Sequence, residues 1–333
     1  MRSLNKAALA LTLGAALAAA WFAYFSSHPL TLPATPYEFE VKPGASLKTL
    51  SRSLADEGLL PEAHSFWILG RALGKAASIQ AGVYRLDKPA TPLELLDKLS
   101  RGNVVAMEMM FVEGSTWRQW FAQLAQNPRI RANLAGKTEA QIRSALGVGG
   151  EPLEGAFFPD TYRFAPGASD VEILKRAHAT MQRKLAEAWA ARDAGLALAS
   201  AQEALILASI VEKETALPSE RPLVASVFLN RLKRGMRLQT DPTVIYGMGE
   251  SFEGNIRKKD LLTDTPWNTY TRDGLPPTPI AMPGAASLRA VVNPAKSDFL
   301  YFVSRGDGSH EFSRTLEEHN RAVAKYQLRS APS

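Results

Sequence analysis

The chain opens on an apolar run: residues 7–27 carry no charged side chain and close on Trp21, Phe22, Tyr24 and Phe25. About 20 such residues span a bilayer as a helix, and aromatic rings settle at its interface. Arg2 and Lys6 precede the run, and the next formal charge after it is Glu38. Positive charge stays on the cytoplasmic side, so the pattern predicts a cytoplasmic tail (1–6), a transmembrane helix (7–27) and an exported body. The run outlasts a usual signal-peptide core and lacks a small-x-small ending, which favours an anchor over a cleaved leader. Pro29, Pro33 and Pro36 make 28–36 a stiff linker.

From there the period alternates between two and three to four. Tyr37-Glu38-Phe39-Glu40-Val41 alternates apolar and acidic as a half-buried strand does. Pro43-Gly44 turns the chain and Ser46 is placed to cap a helix through Leu47, Leu50 and Leu54. A second helix over 63–73, a strand over 82–86 and a helix opened by Thr91-Pro92 complete a small module at 37–105. The larger region, 106–330, mixes strands at 162–164 and 299–303 with helices over 117–124, 170–195, 202–215 and a further one capped by Ser219 and ending at Gly235. The fold class expected is α+β.

Composition narrows the chemistry. With 333 residues, 46% hydrophobic and 22% charged, the chain has ample material for cores. The absence of cysteine removes disulfides, thiolate catalysis and cysteine zinc sites. The five histidines are scattered with no His-x-x-x-His pair, so neither a metal centre nor another cofactor is expected. A net charge of +6 without a Lys/Arg run predicts no nucleic-acid partner; Arg231, Lys233 and Arg234 read as the solvated face and last turn of a helix. Mild basicity suits anionic lipid or a cell-wall polymer.

The candidate chemistry lies in residues 205–215. At 100° per residue Ile206, Leu207, Ile210 and Val211 share one arc, and Glu214 projects near its centre, while Glu212 falls on the far side and reads as a surface residue. A carboxyl in an apolar stripe keeps its proton to higher pH and can deliver it to a glycosidic oxygen. Helix geometry alone favours the plainer outcome, that Glu214 meets an arginine or backbone amide in the core. Gln239, Thr240 and Asp241 after a helix end, with Asn268 and Tyr270, bring hydrogen-bonding groups of the kind sugars require, and Tyr246, Trp267 and Tyr270 bring aromatic faces. Taken singly, each is better accounted for as a turn residue or a core aromatic.

Several blocks together carry a resemblance. Glu212-Lys213-Glu214-Thr215, Ser226-Val227-Phe228-Leu229-Asn230-Arg231-Leu232, Met236-Arg237-Leu238-Gln239-Thr240-Asp241-Pro242-Thr243, Asn268-Thr269-Tyr270 and Gly274-Leu275-Pro276-Pro277, with Leu153-Glu154-Gly155 and Phe158-Pro159-Asp160-Thr161-Tyr162 upstream, resemble the endolytic murein transglycosylases, the YceG-like family. The resemblance implies lytic cleavage of the β-1,4 bond between N-acetylmuramic acid and N-acetylglucosamine within nascent glycan strands. The products carry 1,6-anhydro ends, and the cut terminates strand elongation. It makes Glu214 the catalytic acid/base and Gln239, Thr240, Asp241, Tyr246, Asn268, Tyr270 and Glu154 candidates for substrate binding, with a structural role favoured for Glu154. It further implies an inner-membrane location with a periplasmic catalytic domain at 106–330, peptidoglycan synthases (penicillin-binding proteins) as partners, and a LysM-like module at 37–105, whose Val41-Lys42-Pro43-Gly44-Ala45-Ser46-Leu47 resembles a LysM opening with Ala45 in place of a frequent Asp. The alternatives are a two-carboxylate hydrolase, a non-catalytic cell-wall scaffold and a soluble pyridoxal-phosphate lyase, the last disfavoured by the apolar N-terminus.

Overall fold

A computed structural model describes residues 2–328, with side chains omitted for residues 1–12, Ala15 and Ala18. It divides into two compact units, one formed by the described residues up to 107 with 163–167, the other by 108–162 and 168 onward. Helices and short two-stranded sheets make up both, an α+β arrangement.

The first unit comprises α1 (Arg2–Ser27), β1 (Tyr37–Val41), α2 (Leu47–Asp56), α3 (Ala63–Ala72), β2 (Gly82–Leu86) and α4 (Pro92–Arg101). The alternation in β1 buries Tyr37, Phe39 and Val41 and exposes Glu38 and Glu40. β1 pairs antiparallel with β2, setting Phe39 opposite Tyr84 with the rings stacked at 5.6 Å. Both expected caps are made: Ser46 accepts the Thr49 amide at 3.1 Å, and Thr91 and Glu94 form a reciprocal box. Leu47, Leu50 and Leu54 meet Phe66, Leu69, Leu95, Leu96 and Leu99 in one core, joined by Phe25 and Leu30. Trp21 Nε1 donates to Ser65 Oγ at 3.3 Å, so the end of α1 docks on this unit.

Among the described residues no helix is long and apolar enough to cross a membrane. The expected span, 7–27, lies within α1 and falls in part on residues whose side chains are outside the description.

The unit boundary falls within β3 (Met107–Met110) and β5 (Thr161–Phe164). The second unit holds α5 (Trp117–Gln126), β4 (Ile130–Arg131), α6 (Glu139–Leu146), β6 (Ala168–Ser169), α7 (Asp170–Ala190), α8 (Ala201–Glu214), α9 (Arg221–Lys233), α10 (Asp241–Met248), α11 (Lys258–Leu262), α12 (Ala285–Val292), the β7–β8 hairpin (Tyr301–Ser304, His310–Ser313) and α13 (Leu316–Val323). Its core is built around α8, which is buried continuously from Ala204 to Val211 because α7, α9, α10 and α12 all pack on it. This differs from the one-faced helix expected and changes the reading of Glu212. Two further expectations are corrected. Arg231 is 7% exposed instead of solvated, since it lies four residues after Val227 and three after Phe228, both buried. The N-cap of α9 is Glu220, not Ser219, and it makes no side-chain cap because its carboxylate is engaged elsewhere.

Candidate active site

Glu214 ends α8 at the floor of a cleft of about 470 Å³ whose walls include Arg231, Gln239, Thr240, Asp241, Tyr270, Tyr301 and His310. The residue is half-buried, and surrounding protein strips most of the water from its carboxyl. That dehydration is the main reason its pKa is raised to about 7; the nearby Asp241 charge pushes the same way, and a hydrogen bond from Thr240 and the proximity of His310 pull it back. Thr240 Oγ1 donates to Glu214 Oε1. Thr240 is itself held by Thr269 Oγ1, which accepts the Thr240 amide at 3.1 Å, and by Thr243 Oγ1, which donates to the Thr240 carbonyl at 2.7 Å. The result is a carboxyl protonated for a substantial fraction of the time near neutral pH, aimed by a fixed hydroxyl network.

Residues 237–241 reach the cleft through a backbone held in place by Arg231. Its guanidinium donates to the carbonyls of Leu300, Arg237 and Leu238 at 2.7, 3.0 and 2.9 Å and to Gln239 Oε1 at 3.3 Å. Among the described residues Gln239 is the one non-glycine at positive φ, 51°, and such a conformation persists only where neighbours fix it. Asp241 Oδ1 accepts from Tyr270 Oη at 2.6 Å, and Arg237 holds the Tyr270 carbonyl at 2.9 Å. Across the cleft, His310 Nδ1 lies 2.7 Å from Glu220 Oε2, and the same carboxylate accepts the His310 amide at 2.9 Å.

Of the residues singled out in the sequence, Glu214, Gln239, Thr240, Asp241 and Tyr270 thus line one cleft. Asn268 does not. It is fully buried, and its Nδ2 donates to the carbonyls of Asp260, Leu261 and Thr263 while Oδ1 accepts the Tyr270 amide at 2.8 Å, so it shapes the loop that presents Tyr270. Glu154 and Tyr246 line a separate cavity of about 830 Å³. Glu154 is 3% exposed, accepts the Trp117 amide at 3.1 Å, and has its pKa raised to about 7 chiefly by burial. Gly155, at φ 79°, passes so close to Pro279 that a Cβ would sit 2.5 Å from its Cγ, which fixes this segment against the loop before α12.

Glu212 is no surface residue. Its side chain is 4% exposed, its Oε1 accepts from Arg221 at 3.0 Å, and its Oε2 accepts the Gly284 amide at 2.9 Å, where Gly284 caps α12. A carboxylate at a helix N-terminus paired with a buried arginine is structural cement. The environment allowed for Glu214, an arginine and a backbone amide, belongs to Glu212.

Arg231, His310, Glu220 and Tyr301 were not singled out from the sequence as site residues. The spacing of Arg231 from Val227 and Phe228 carried a readable signal; His310 and Glu220 are 90 residues apart, and no local pattern joins them. Among the described residues no group of three or more histidine or carboxylate side chains is arranged to hold a metal ion.

The family model described as "YceG-like family" matches residues 39–325. A Bacillus subtilis (strain 168) protein named endolytic murein transglycosylase is 31% identical over 309 residues, covering 88% of this chain and 85% of that protein. One of the same name from Streptococcus pneumoniae serotype 2 is 27% identical, covering 85% of this chain and 57% of the relative. A 2.6 Å crystal structure of a yceG-like protein from Listeria monocytogenes superposes with a TM-score of 0.54 at 29% identity, covering 86% of this chain and 98% of that one.

Proposed function

Because the chain belongs to the YceG-like family, we propose that it is an endolytic peptidoglycan lytic transglycosylase with Glu214 as its acid/base. The observation that carries this reading is a carboxyl whose pKa is raised to about 7 at the floor of an open cleft rich in hydroxyl, carboxylate and aromatic groups. The protonated Glu214 donates to the glycosidic oxygen between N-acetylmuramic acid and N-acetylglucosamine as the C1–O bond breaks. The carboxylate so formed takes the proton of the muramoyl C6 hydroxyl, whose oxygen bonds to C1 of its own ring and gives a 1,6-anhydro end. The proton returns to Glu214, and no water or cofactor is consumed. Thr240 positions the carboxyl, and Tyr270 and Gln239 face the sugar.

One observation favours a second reading. Asp241 is the other carboxylate lining the cleft, and a hydrolase pairs an acid with a second carboxylate that activates water or bonds to the sugar. Digestion of purified glycan strands in ¹⁸O-labelled water separates the two: the lytic reaction leaves anhydro ends without label, whereas labelled reducing ends would overturn it in favour of hydrolysis through Asp241.

The same reading has the enzyme in the inner membrane, with residues 1–6 cytoplasmic, 7–27 of α1 as the anchor and the chain from 28 onward periplasmic. Support comes from the exposed Leu13, Leu17, Trp21 and Tyr24, spaced three or four apart along the helix. A LysM-like module at 37–105, cutting of nascent strands beside the peptidoglycan synthases and termination of strand growth complete the proposal. A non-catalytic scaffold would keep its effect on the cell wall after Glu214→Gln.

A further inference from the structure

The cavity beside Tyr246 is larger than the cleft over Glu214, and no step above uses it. Its volume, about 830 Å³, falls in the range of ligand sites. Trp117 from the start of α5, Tyr246 from α10 and Trp267 from the loop before Asn268 all line it, and each is half-buried. The rings are fixed. Trp267 Nε1 donates to Thr278 Oγ1 at 2.9 Å, Tyr246 packs edge-on to Trp267 with centroids 5.3 Å apart, and Trp117 packs edge-on to Phe121 at the same separation. Held, part-exposed aromatic faces with a polar tip offer large contact area at little entropic cost, which suits the C–H faces and hydroxyls of pyranose rings. The buried Glu154 carboxyl lies beside Tyr246 in the cavity lining.

Two junctions tie this cavity to the cleft. Lys213 lines the cavity and Glu214 the cleft; Asp241 lines the cleft and Pro242 the cavity. Cavity and cleft thus open on the same two stretches of chain, the end of α8 and the start of α10.

We infer that the Trp117–Tyr246–Trp267 cavity is a second glycan-binding site that holds N-acetylated sugar rings of the strand being cut at Glu214, and so makes the enzyme favour long strands. The inference rests on the proposed reaction for the identity of the polymer. It is tested on the full-length chain in detergent with peptide-free glycan strands of four and of about twelve sugars, comparing wild type with Trp117→Ala and Trp117→Phe. The expected result is a KM for the long strand raised at least fivefold by Trp117→Ala with kcat within twofold, recovered in large part by Trp117→Phe, and no change on the tetrasaccharide. An unchanged long-strand KM, or an equal loss on both lengths in a protein with wild-type melting temperature, overturns it while leaving the reaction at Glu214 standing. If wild type cuts neither strand, the proposed reaction fails instead, and calorimetric titration with an N-acetylglucosamine hexamer decides the site: weaker binding by Trp117→Ala sustains it and equal affinity overturns it. Should Trp117→Ala not fold, Trp117→Phe carries the comparison, with a two- to threefold rise in long-strand KM expected and no rise contradicting the assignment.

Discussion

Glu214 is tuned by opposing neighbours, and each leaves a separable trace in the pH dependence. Proton donation needs the acid form, so kcat/KM for the lytic reaction falls about tenfold per unit as pH rises past about 7. The Thr240 hydroxyl stabilises the carboxylate and holds the pKa down. Thr240→Val removes that bond while keeping the shape, so the alkaline limb moves to higher pH. The Asp241 charge destabilises the carboxylate, so Asp241→Asn moves the limb to lower pH while the amide oxygen still accepts from Tyr270. His310 acts in the same direction as Thr240, and Glu154, with its own pKa about 7 in the other cavity, is common to both variants. A pH profile of kcat/KM for the two variants checks the pair, and shifts of the same sign would contradict it. The preference for Glu214 over Glu212 was legible from helical spacing, but the fate of Glu212 was not. Its partners, Arg221 and the Gly284 amide, come from α9 and from the start of α12, and nothing in the pattern of α8 announces them.

At the scale of elements, the site hangs on the join between α9 and the segment leading into α10. Arg231 spans that join by holding three carbonyls and the Gln239 side chain. Arg231→Met leaves those buried acceptors unpaired and releases Gln239 from positive φ, with an expected loss of about 3 kcal/mol in stability and a collapse of activity greater than the unfolded fraction explains. Denaturant melts alongside assays at a temperature where the variant stays folded measure both; wild-type activity would show the bridge to be dispensable. Where caps and periods are local, sequence and structure agree closely: Ser46 and Thr91 cap as expected, and β1 and β2 occupy the expected residues. Agreement fails where a side chain is diverted by a distant partner. Glu220 begins α9 without capping it because His310, in the β7–β8 hairpin, takes its carboxylate. Asn268 has the composition of a sugar ligand but spends its amide on three loop carbonyls.

For the molecule as a whole, the first unit's core includes Phe25 from the end of α1, so the proposed anchor and the folded body share residues. Removing residues 1–20 should release the protein from membranes with its stability intact, whereas removal through residue 28 also empties the Phe25 site and should cost about 3 kcal/mol. Membrane flotation and thermal melts of the two truncations check this; a membrane-bound 1–20 deletion would contradict the anchor. The two-cavity layout of the second unit was not legible at all, because Glu154, Tyr246 and Gln239 carry the same polar and aromatic character whether they line the cleft or its neighbour. Only the fold sorts them, putting Glu154 and Tyr246 in one cavity and Gln239 in the other. The role of Glu214 is tested most directly by mass spectrometry of glycan strands incubated with wild type, Glu214→Gln and Glu212→Gln. Wild type should yield 1,6-anhydro ends, Glu214→Gln should lower their rate about a thousandfold with its fold retained, and Glu212→Gln should retain cleavage in whatever fraction folds. Undiminished anhydro ends from Glu214→Gln would contradict the assignment.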